Sequence, residues 1–193
     1  MHVVICGLGH VGFRVLEEFA KLKENVVVIS TIIKKEHQKF LRDNGFKLII
    51  GDAREEDILK SAGIASARAI IALTKDEVIN IEISLKAKDI NPNISTVVRM
   101  HDELLANRIE TGFGIKRALS TPALAAPGYV AAILSDKICQ YSRFGTKNLF
   151  LFEWTITRRS TLLNNTVDEC KKHLNIEPVL VRKKGAQSSE SED

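Results

Sequence analysis

Three glycines near the amino end of the sequence have a spacing that could bind phosphate. They lie in the run Gly7-Leu8-Gly9-His10-Val11-Gly12, which matches GxGxxG, follows a candidate strand and opens a candidate helix. The first glycine permits a tight turn, the second lets the backbone approach a pyrophosphate, and the third lets the helix pack closely on the strand. Free N–H groups at the helix N-terminus would then face the phosphates. A glycine-containing turn without a ligand is the simpler alternative.

The ribose of a bound dinucleotide would lie near Ser30 and Thr31. Dinucleotide-binding proteins carry an Asp or Glu about 20 residues after the glycine motif, where it holds the ribose hydroxyls. Here no carboxylate stands at that place, and a Ser30 hydroxyl binds a ribose hydroxyl more weakly than a charged acceptor would. The missing carboxylate also removes repulsion against a 2′-phosphate, and Lys34 and Lys35 follow closely. NADP-like ligands are therefore allowed, although a solvated first helical turn is the simpler role for both lysines.

Two further candidate contacts follow later strands. Gly51-Asp52-Ala53 comes after the third candidate strand and Arg99 ends the fifth, so both would border the crevice at the carboxyl ends of a parallel sheet. Asp52 could meet the adenine or ribose end of a nucleotide, cap the next helix, or do both. Arg99 is placed for a phosphate or a carboxylate. We expect ten cofactor-binding residues: Gly7, Gly9, His10, Val11, Gly12, Ser30, Thr31, Asp52, Ala53 and Arg99.

An alternation of short apolar runs and amphipathic stretches must position these residues. The β-branched, nearly continuous runs predict strands at Val3–Cys6, Val26–Ile29, Lys47–Ile50, Ala69–Leu73 and Thr96–Arg99. Helical periodicity predicts helices at Val11–Lys23, Lys34–Asn44, Glu55–Ala62 and Lys75–Asp89. Capping-box spacings in Asp52–Glu55 and Thr74–Glu77 support two of the helix starts. The alternation predicts an α/β fold with a Rossmann-like, doubly wound parallel sheet over residues 1–120.

The alternation of apolar runs and amphipathic stretches ends near Thr121. Residues 121–145 predict a linker followed by a crossover helix over Tyr129–Tyr141. Residues 146–184 predict a partial, small α+β lobe, with a strand at Leu149–Thr157, a helix at Asn165–Leu174 and a strand at Pro178–Arg182. The small, polar and acidic residues 185–193 predict a disordered tail.

Composition excludes several classes of protein. The chain has 193 residues, a net charge of +4 and 45% hydrophobic residues, which excludes a disordered chain. No apolar run approaches the roughly 18 residues needed to span a bilayer, and the start of the sequence lacks a secretory leader, so we expect a cytoplasmic protein. Mixed charges predict no nucleic-acid partner, and five dispersed histidines predict no metal site. No local motif predicts a catalytic nucleophile.

Several stretches together resemble the regulator-of-potassium-conductance family, also called the Trk/Ktr N-terminal domain. These stretches are Gly51-Asp52-Ala53, the segment LKSAGIASARAIIA at 59–72, Asp76-Glu77, Asn80, Asn91-Pro92 and the strand ending at Arg99. The resemblance covers about residues 1–120. It implies that NAD(H), ATP or ADP binds on Gly7, Gly9, Gly12, Asp52, Ala53 and Arg99, with Ser30 in place of the ribose-binding acid.

The resemblance also implies a function. Members are cytosolic, non-enzymatic gating domains or subunits of membrane potassium channels and transporters, and they pair through the crossover helix, here 129–141, and assemble into larger rings. Nucleotides bias such assemblies between conformations. The alternative is a small NAD(P)-dependent oxidoreductase, for which His101 and Asp102 would have to supply the acid or base near the nicotinamide.

Overall fold

A computed structural model describes residues 1–134, 138–144, 147–153, 155–160 and 162–174. The chain folds into two compact units that divide after Leu134. In the first unit the elements are β1 Val3–Cys6, α1 His10–Lys21, β2 Val26–Ser30, α2 Lys35–Asp43, β3 Lys47–Ile50, α3 Glu56–Ser61, β4 Ala69–Ala72, α4 Glu77–Ile90, β5 Ser95–Met100, α5 Glu103–Gly112, β6 Arg117–Ser120 and α6 Thr121–Leu134.

The first unit is built on a six-stranded sheet with the order β3-β2-β1-β4-β5-β6, in which every pairing is parallel. The strand order reverses between β1 and β4, since β1 leads outward to β2 on one side and pairs with β4 on the other. This confirms the predicted Rossmann-like, doubly wound sheet. In such sheets a crevice opens at the carboxyl ends of the strands, at the point of reversal.

The core lies on both faces of this sheet, which is why the strand residues are almost all apolar. Val4 and Cys6 of β1 belong to a buried cluster that includes residues of α3, α4 and α5. Val3 and Ile5, which point to the opposite face, belong to a second cluster with Leu16 of α1. Alternate residues of one strand thus hold helices on both sides, and these helices fix the loops at the strand ends.

Two helix starts differ from the predicted capping boxes. Asp52 does not cap α3, because its Oδ1 accepts a hydrogen bond from Arg54 N (2.9 Å) in a turn and the helix begins only at Glu56. Thr74 does not cap α4 either, since its hydroxyl donates to Asn80 Oδ1 (2.7 Å). The cap of α4 is Asp76, whose Oδ1 accepts from Val78 N and Ile79 N.

Two elements of the first unit, α5 and β6, were absent from the sequence prediction. The strand β6 alternates exposed and buried residues instead of forming an apolar run, because it lies at the edge of the sheet. The ranges α5 and β6 also fall between Arg99 and Thr121, where the sequence offers neither a glycine nor a proline boundary before Gly112. The sheet therefore has one strand more than the sequence predicts.

The predicted helix over Tyr129–Tyr141 is wrong in both bounds. The helix α6 runs over Thr121–Leu134, and Pro122 fits its first turn because the N–H that proline lacks has no acceptor there. Residues Ile138–Phe144 form a strand, β7, which pairs antiparallel with β8, Lys147–Phe152. The aromatic residues of these two strands, Tyr141, Phe144, Phe150 and Phe152, suit a hairpin better than a helix.

The second unit contains β7, β8 and a helix α7, Val167–Leu174. The predicted strand at Leu149–Thr157 is therefore confirmed only for its first part, and the predicted helix at Asn165–Leu174 begins two residues later. The predicted strand at Pro178–Arg182 and the tail 185–193 lie outside the described residues. Among the described residues, no helix has the length and apolar character that a bilayer span requires.

Candidate functional site

A cavity of about 890 Å³ opens at the carboxyl ends of the strands of the first unit, and we call it the crevice. Its walls are the loops that follow β1, β2, β3 and β4, together with residues at the end of β5. Nine of the ten predicted cofactor-binding residues line it: Gly7, Gly9, His10, Val11, Ser30, Thr31, Asp52, Ala53 and Arg99. The tenth, Gly12, is buried and is not part of the lining.

Each glycine of the GxGxxG motif meets a different steric requirement. Gly7 has φ +95° and a side chain there would lie 3.0 Å from Thr74 N, so only glycine fits this turn. A Cβ on Gly12 would lie 2.0 Å from Gly7 O, which explains how closely α1 packs on the loop. Gly9 has nothing within 4 Å of its Cβ position, so the loop leaves open space there.

The N-terminus of α1 faces this open space. Gly9 is the residue before the helix, and no side chain caps it. Phe13 N is the first helical donor, to Gly9 O (2.9 Å), so the N–H groups of His10, Val11 and Gly12 have no intrahelical acceptor. No acidic residue occupies the first turn. The unpaired N–H groups and the positive end of the helix dipole make this loop suited to an anion.

The charged residues that line the crevice are mostly basic. Lys34, Arg54, Lys75 and Arg99 are cations, and Asp52 is the one carboxylate residue of the lining. Arg54 Nη2 lies 2.6 Å from Asp52 Oδ2, and Arg54 Nε donates to both oxygens at 3.0 and 3.1 Å. These hydrogen bonds from the Arg54 side chain, with one from its backbone N–H, lower the pKa of Asp52. The carboxylate is thus ionised and already paired, and the crevice favours an anionic ligand.

The two predicted ribose contacts at the end of β2 differ in exposure. Ser30 is only 8% exposed and its hydroxyl donates to Ile32 O (2.7 Å), so toward a ligand it can act only as an acceptor. Thr31 is exposed on the crevice wall. Of the two lysines that follow, Lys34 lines the crevice and Lys35 does not.

Arg99 is held by a buried asparagine of α4. Asn80 Nδ2 donates to Arg99 O (3.0 Å) and to Thr74 O (3.2 Å), while its Oδ1 accepts from Thr74 N (2.9 Å). Asn80 therefore ties the loop after β4 to the end of β5. The Arg99 guanidinium reaches Thr74 O with Nη1 (3.4 Å), but its buried Nε has no hydrogen-bond partner.

His37 also lines the crevice and has a buried nitrogen without a hydrogen-bond partner. Among the described residues, buried side-chain nitrogens that lack a hydrogen-bond partner are Arg99 Nε and His37 Nδ1, and both residues line the crevice. His37 is 6% exposed and its ring stacks on Phe13, with centroids 4.1 Å apart. Because unsatisfied buried donors and acceptors cost free energy, their placement indicates where a ligand would be stabilised.

Sequence reasoning missed several lining residues. Lys75 lies three residues after the end of β4, so the rule that ligands bind at the carboxyl ends of strands would have found it. Arg54 follows Asp52 by two residues, but its pairing with that carboxylate depends on the turn. His37 lies inside α2, where its ring stacks on Phe13, so the rule for strand ends would not have found it.

The acid and base required for the oxidoreductase alternative are separated. His101 lines the crevice, and its Nε2 lies 3.4 Å from Lys75 O. Asp102 caps α5 by accepting from Leu105 N (2.8 Å) and is not part of the lining. Among the described residues, no group of three His, Cys, Asp or Glu side chains could hold a metal ion.

Comparison with known proteins first identifies a family and its relatives. The TrkA-N domain profile matches residues 3–121. "Potassium channel protein 1" of Methanocaldococcus jannaschii is 37% identical over 98 residues, which is 51% of this chain and 29% of the relative. The "Trk system potassium uptake protein TrkA homolog" of Pyrococcus horikoshii is 33% identical over 103 residues, 53% of this chain and 44% of the relative. The aligned region is less than half of both relatives.

Solved structures share the fold. The TrkA-N domain of the inner membrane protein ybaL from Escherichia coli matches with a TM-score of 0.60 and 25% identity, over 69% of this chain and 96% of that one. The Kef CTD of Shewanella denitrificans in its AMP-bound form matches at 0.61 and 20%, over 69% and 80%. The GsuK channel bound to NAD matches at 0.54 and 16%, over 67% and 23%.

Proposed function

The chain belongs to the TrkA-N domain family, and we propose that it is a nucleotide-binding regulatory domain of a potassium transport system. The observation that carries this proposal is the crevice, in which an open glycine loop at a helix N-terminus meets four cations and one already paired carboxylate. The family relatives named above support potassium transport as the process. AMP, which one protein of this fold binds, is the portion that NAD, ATP and ADP have in common.

The residues of the crevice suit the parts of an adenine nucleotide. The backbone around Gly9 and the first turn of α1 would hold the phosphates, with Arg99 as a further phosphate partner whose free Nε gains a hydrogen bond. Ser30 and Thr31 would meet the ribose, and Asp52 with Ala53 the adenine end. A bound nucleotide would supply no chemistry of its own, since its role in this proposal is to stabilise one conformation. NAD(H), ATP and ADP all carry the required adenosine phosphate.

Regulation would act as a shift between conformations. A ligand moves such an equilibrium only by binding one conformation better than the other. Asn80 and Glu77 connect the crevice to α4 and α5, because Glu77 Oε1 accepts from Asp102 N (3.0 Å) at the start of α5. A nucleotide that contacts Arg99 would therefore change the positions of the N-termini of both helices. Ion permeation would take place in a membrane-embedded partner, with this domain at its cytoplasmic side.

We further propose that a second copy of the chain binds along α6, and that larger rings form from such dimers. The described side chains Leu124, Tyr129, Val130 and Ile133 of this helix are 65, 74, 56 and 88% exposed, so they are not used in packing on their own unit. Light scattering should find a dimer or larger assembly at micromolar concentration. Ile133→Glu should dissociate it, whereas Leu22→Glu, at an apolar position 71% exposed directly after α1, should not. A monomeric wild type would contradict the assembly.

In this proposed role the domain binds its nucleotide without turnover. Asp102 is engaged as the cap of α5, which leaves His101 without an acid partner on the crevice wall. NADH absorbance should stay constant when small carbonyl compounds are added to the protein. Loss of that absorbance would favour the oxidoreductase alternative.

The experiment that tests nucleotide binding is a thermal-shift panel of NAD, NADH, NADPH, ATP, ADP and AMP. Binding to the folded state raises the melting temperature by mass action. Gly9→Asp should abolish every shift, because its carboxylate would occupy the open space meant for phosphate; as a better N-cap than glycine, aspartate should not destabilise the ligand-free protein. Gly112→Asp, whose Cβ position is equally open on α5, is the matched control and should keep the shifts. Shifts that survive Gly9→Asp would overturn the phosphate loop.

A further inference from the structure

We infer that the adenosine end of the crevice accepts a ribose carrying its own phosphate, so that its ligands include 2′-phosphorylated adenine nucleotides. This inference rests on the proposed function and deepens it. It concerns the wall formed after β2 by Ser30, Thr31, Ile32, Lys34 and His37.

This wall offers no free carboxylate. A carboxylate at the end of β2 selects a free ribose hydroxyl and repels a phosphate, but Ser30 stands there. On the neighbouring strand end, where Gly51 N donates to Ser30 O (3.2 Å), the Asp52 carboxylate has both oxygens bonded to Arg54. The acid nearest in sequence, Glu36, is 71% exposed and does not line the crevice.

A free ribose hydroxyl would gain only a weak hydrogen bond at this wall. The proton of the Ser30 hydroxyl is donated to Ile32 O (2.7 Å), so Ser30 can only accept a bond from the ligand. A neutral acceptor of this kind gives about half the strength of a charged one. The wall therefore lacks the usual reason to prefer an unmodified ribose.

The same wall carries hydrogen-bond donors and positive charge. Lys34 lines the crevice directly before α2, and no side chain caps that nine-residue helix. Gln38 N donates to Lys34 O (3.0 Å), so the N–H groups of Lys35, Glu36 and His37 have no intrahelical acceptor. Lys34 Nζ lies 3.7 Å from Glu36 Oε1, but an exposed pair of this kind holds the ammonium only weakly.

An independent observation comes from His37. Its side chain is buried at 6% exposure, fixed by stacking on Phe13, and lines the crevice while its Nδ1 has no hydrogen-bond partner. A buried ring nitrogen left without a partner loses the hydrogen bond that water would give it. A phosphate oxygen at this wall would supply that bond, with the ring in the tautomer protonated at Nδ1.

The test compares 2′,5′-ADP with 5′-AMP by calorimetric titration of the intact protein. The two ligands differ only in the 2′-phosphate. We expect 2′,5′-ADP to bind about tenfold more tightly, which corresponds to one hydrogen bond to a charged group. Lys34→Gln should reduce this ratio about fivefold, as loss of an exposed ion pair does. Lys35→Gln, the neighbouring lysine outside the lining, should leave the ratio unchanged.

A second variant reverses the preference. Ser30→Asp places a carboxylate where the ribose hydroxyls would lie, and it should make 5′-AMP the tighter ligand. The inference is overturned if 5′-AMP binds the wild type more tightly than 2′,5′-ADP, or if Lys34→Gln and Lys35→Gln change the ratio equally. In those outcomes the proposed nucleotide binding stands. If neither ligand nor NADH binds, the proposed function falls together with the inference.

Discussion

The two ends of the six-stranded sheet carry similar polar residues, but the side chains at the two ends differ in whether they have hydrogen-bond or ion-pair partners. At the amino ends of the strands a cavity of about 400 Å³ is lined by residues that include His2, Lys23, Glu24 and Lys47. There His2 Nε2 meets Ala62 O (2.8 Å), Lys47 Nζ donates to Ser61 O (3.3 Å), and Glu24 pairs with Arg68 (2.9 Å). At the carboxyl ends, by contrast, the crevice is lined by Arg99 and His37, whose buried nitrogens lack partners.

This difference shows that residue types alone do not make a site. Lysine and histidine occur at both ends of the sheet, but only at the carboxyl ends are they gathered around an open helix N-terminus. The helix α1 begins there at His10 and ends at Lys21 near the opposite cavity, so its dipole favours anions only at the crevice. Three residues at the crevice, Gly12, Asn80 and Arg99, have a counterpart of the same type near the amino ends, so variants of each pair can be compared.

The largest effect should come from Gly12→Ala. Its Cβ would lie 2.0 Å from Gly7 O, against backbone that cannot move aside. We therefore expect the free energy of unfolding to fall by about 3 kcal/mol. Nucleotide binding should be lost as well, because the displaced loop is the one that would hold the phosphates. Gly112→Ala, near the amino ends, has open space and should stabilise by about 0.5 kcal/mol. Urea denaturation measures both. Equal stability of the two variants would contradict the packing of α1 on the loop.

Asn80→Ala should come next. It removes the bonds to Thr74 and Arg99 and leaves buried backbone groups unpaired, at a cost of about 2 kcal/mol in the free energy of unfolding. Its counterpart is Asn91, whose Nδ2 donates to Ile64 O (2.9 Å) and Ala67 O (3.1 Å) near the amino ends. Both variants should unfold at lower urea, but only Asn80→Ala should weaken AMP binding. If Asn91→Ala weakens it as much, Asn80 does not position the crevice.

A smaller effect is expected from Arg99→Gln. The variant loses one charged phosphate partner, so AMP should bind about tenfold more weakly while the free energy of unfolding changes little. Arg68→Gln removes the ion pair with Glu24 at the other end of the sheet and should leave AMP affinity as it was. Calorimetric titration distinguishes them. Unchanged affinity in Arg99→Gln would remove this arginine from the site.

The smallest effect concerns pH and the Asp52–Arg54 pair. Because hydrogen bonds from Arg54 lower the pKa of Asp52 in the folded state, the pair stabilises the fold above the unfolded pKa of about 3.9. That contribution is lost as the pH falls through the lowered folded-state pKa. The difference in unfolding free energy between wild type and Arg54→Ala should therefore be constant above about pH 5 and shrink in more acidic solution. A difference that grows on acidification would contradict the pairing.

How far the sequence predicts the molecule depends on the kind of interaction involved. The strands β1 to β5 follow from apolar runs, and the rule that carboxyl ends border a crevice brings Ser30, Asp52 and Arg99 to one place. The strand β6 and the true bounds of α6 were missed because edge strands and proline-containing first turns lack such patterns.

The site residues that were missed depend on tertiary contacts. His37 lines the crevice from within α2, with its ring stacked on Phe13, 24 positions earlier. The pairing of Arg54 with Asp52 replaces the helix cap that the local spacing predicts. Asn80 is one of the residues that carry the family resemblance, but only its hydrogen bonds show that it connects the loop after β4 to the end of β5.

Hydrogen exchange with and without NADH tests the contrast between the two ends of the sheet most directly. The amides of residues 9–12, 30–34, 52–54 and 99–101, which surround the crevice, should exchange more slowly when NADH is present. Those of residues 23–27 and 44–47 at the opposite cavity should be unchanged. Protection at the amino ends instead, or protection at neither end at saturating NADH, would contradict a nucleotide site in the crevice.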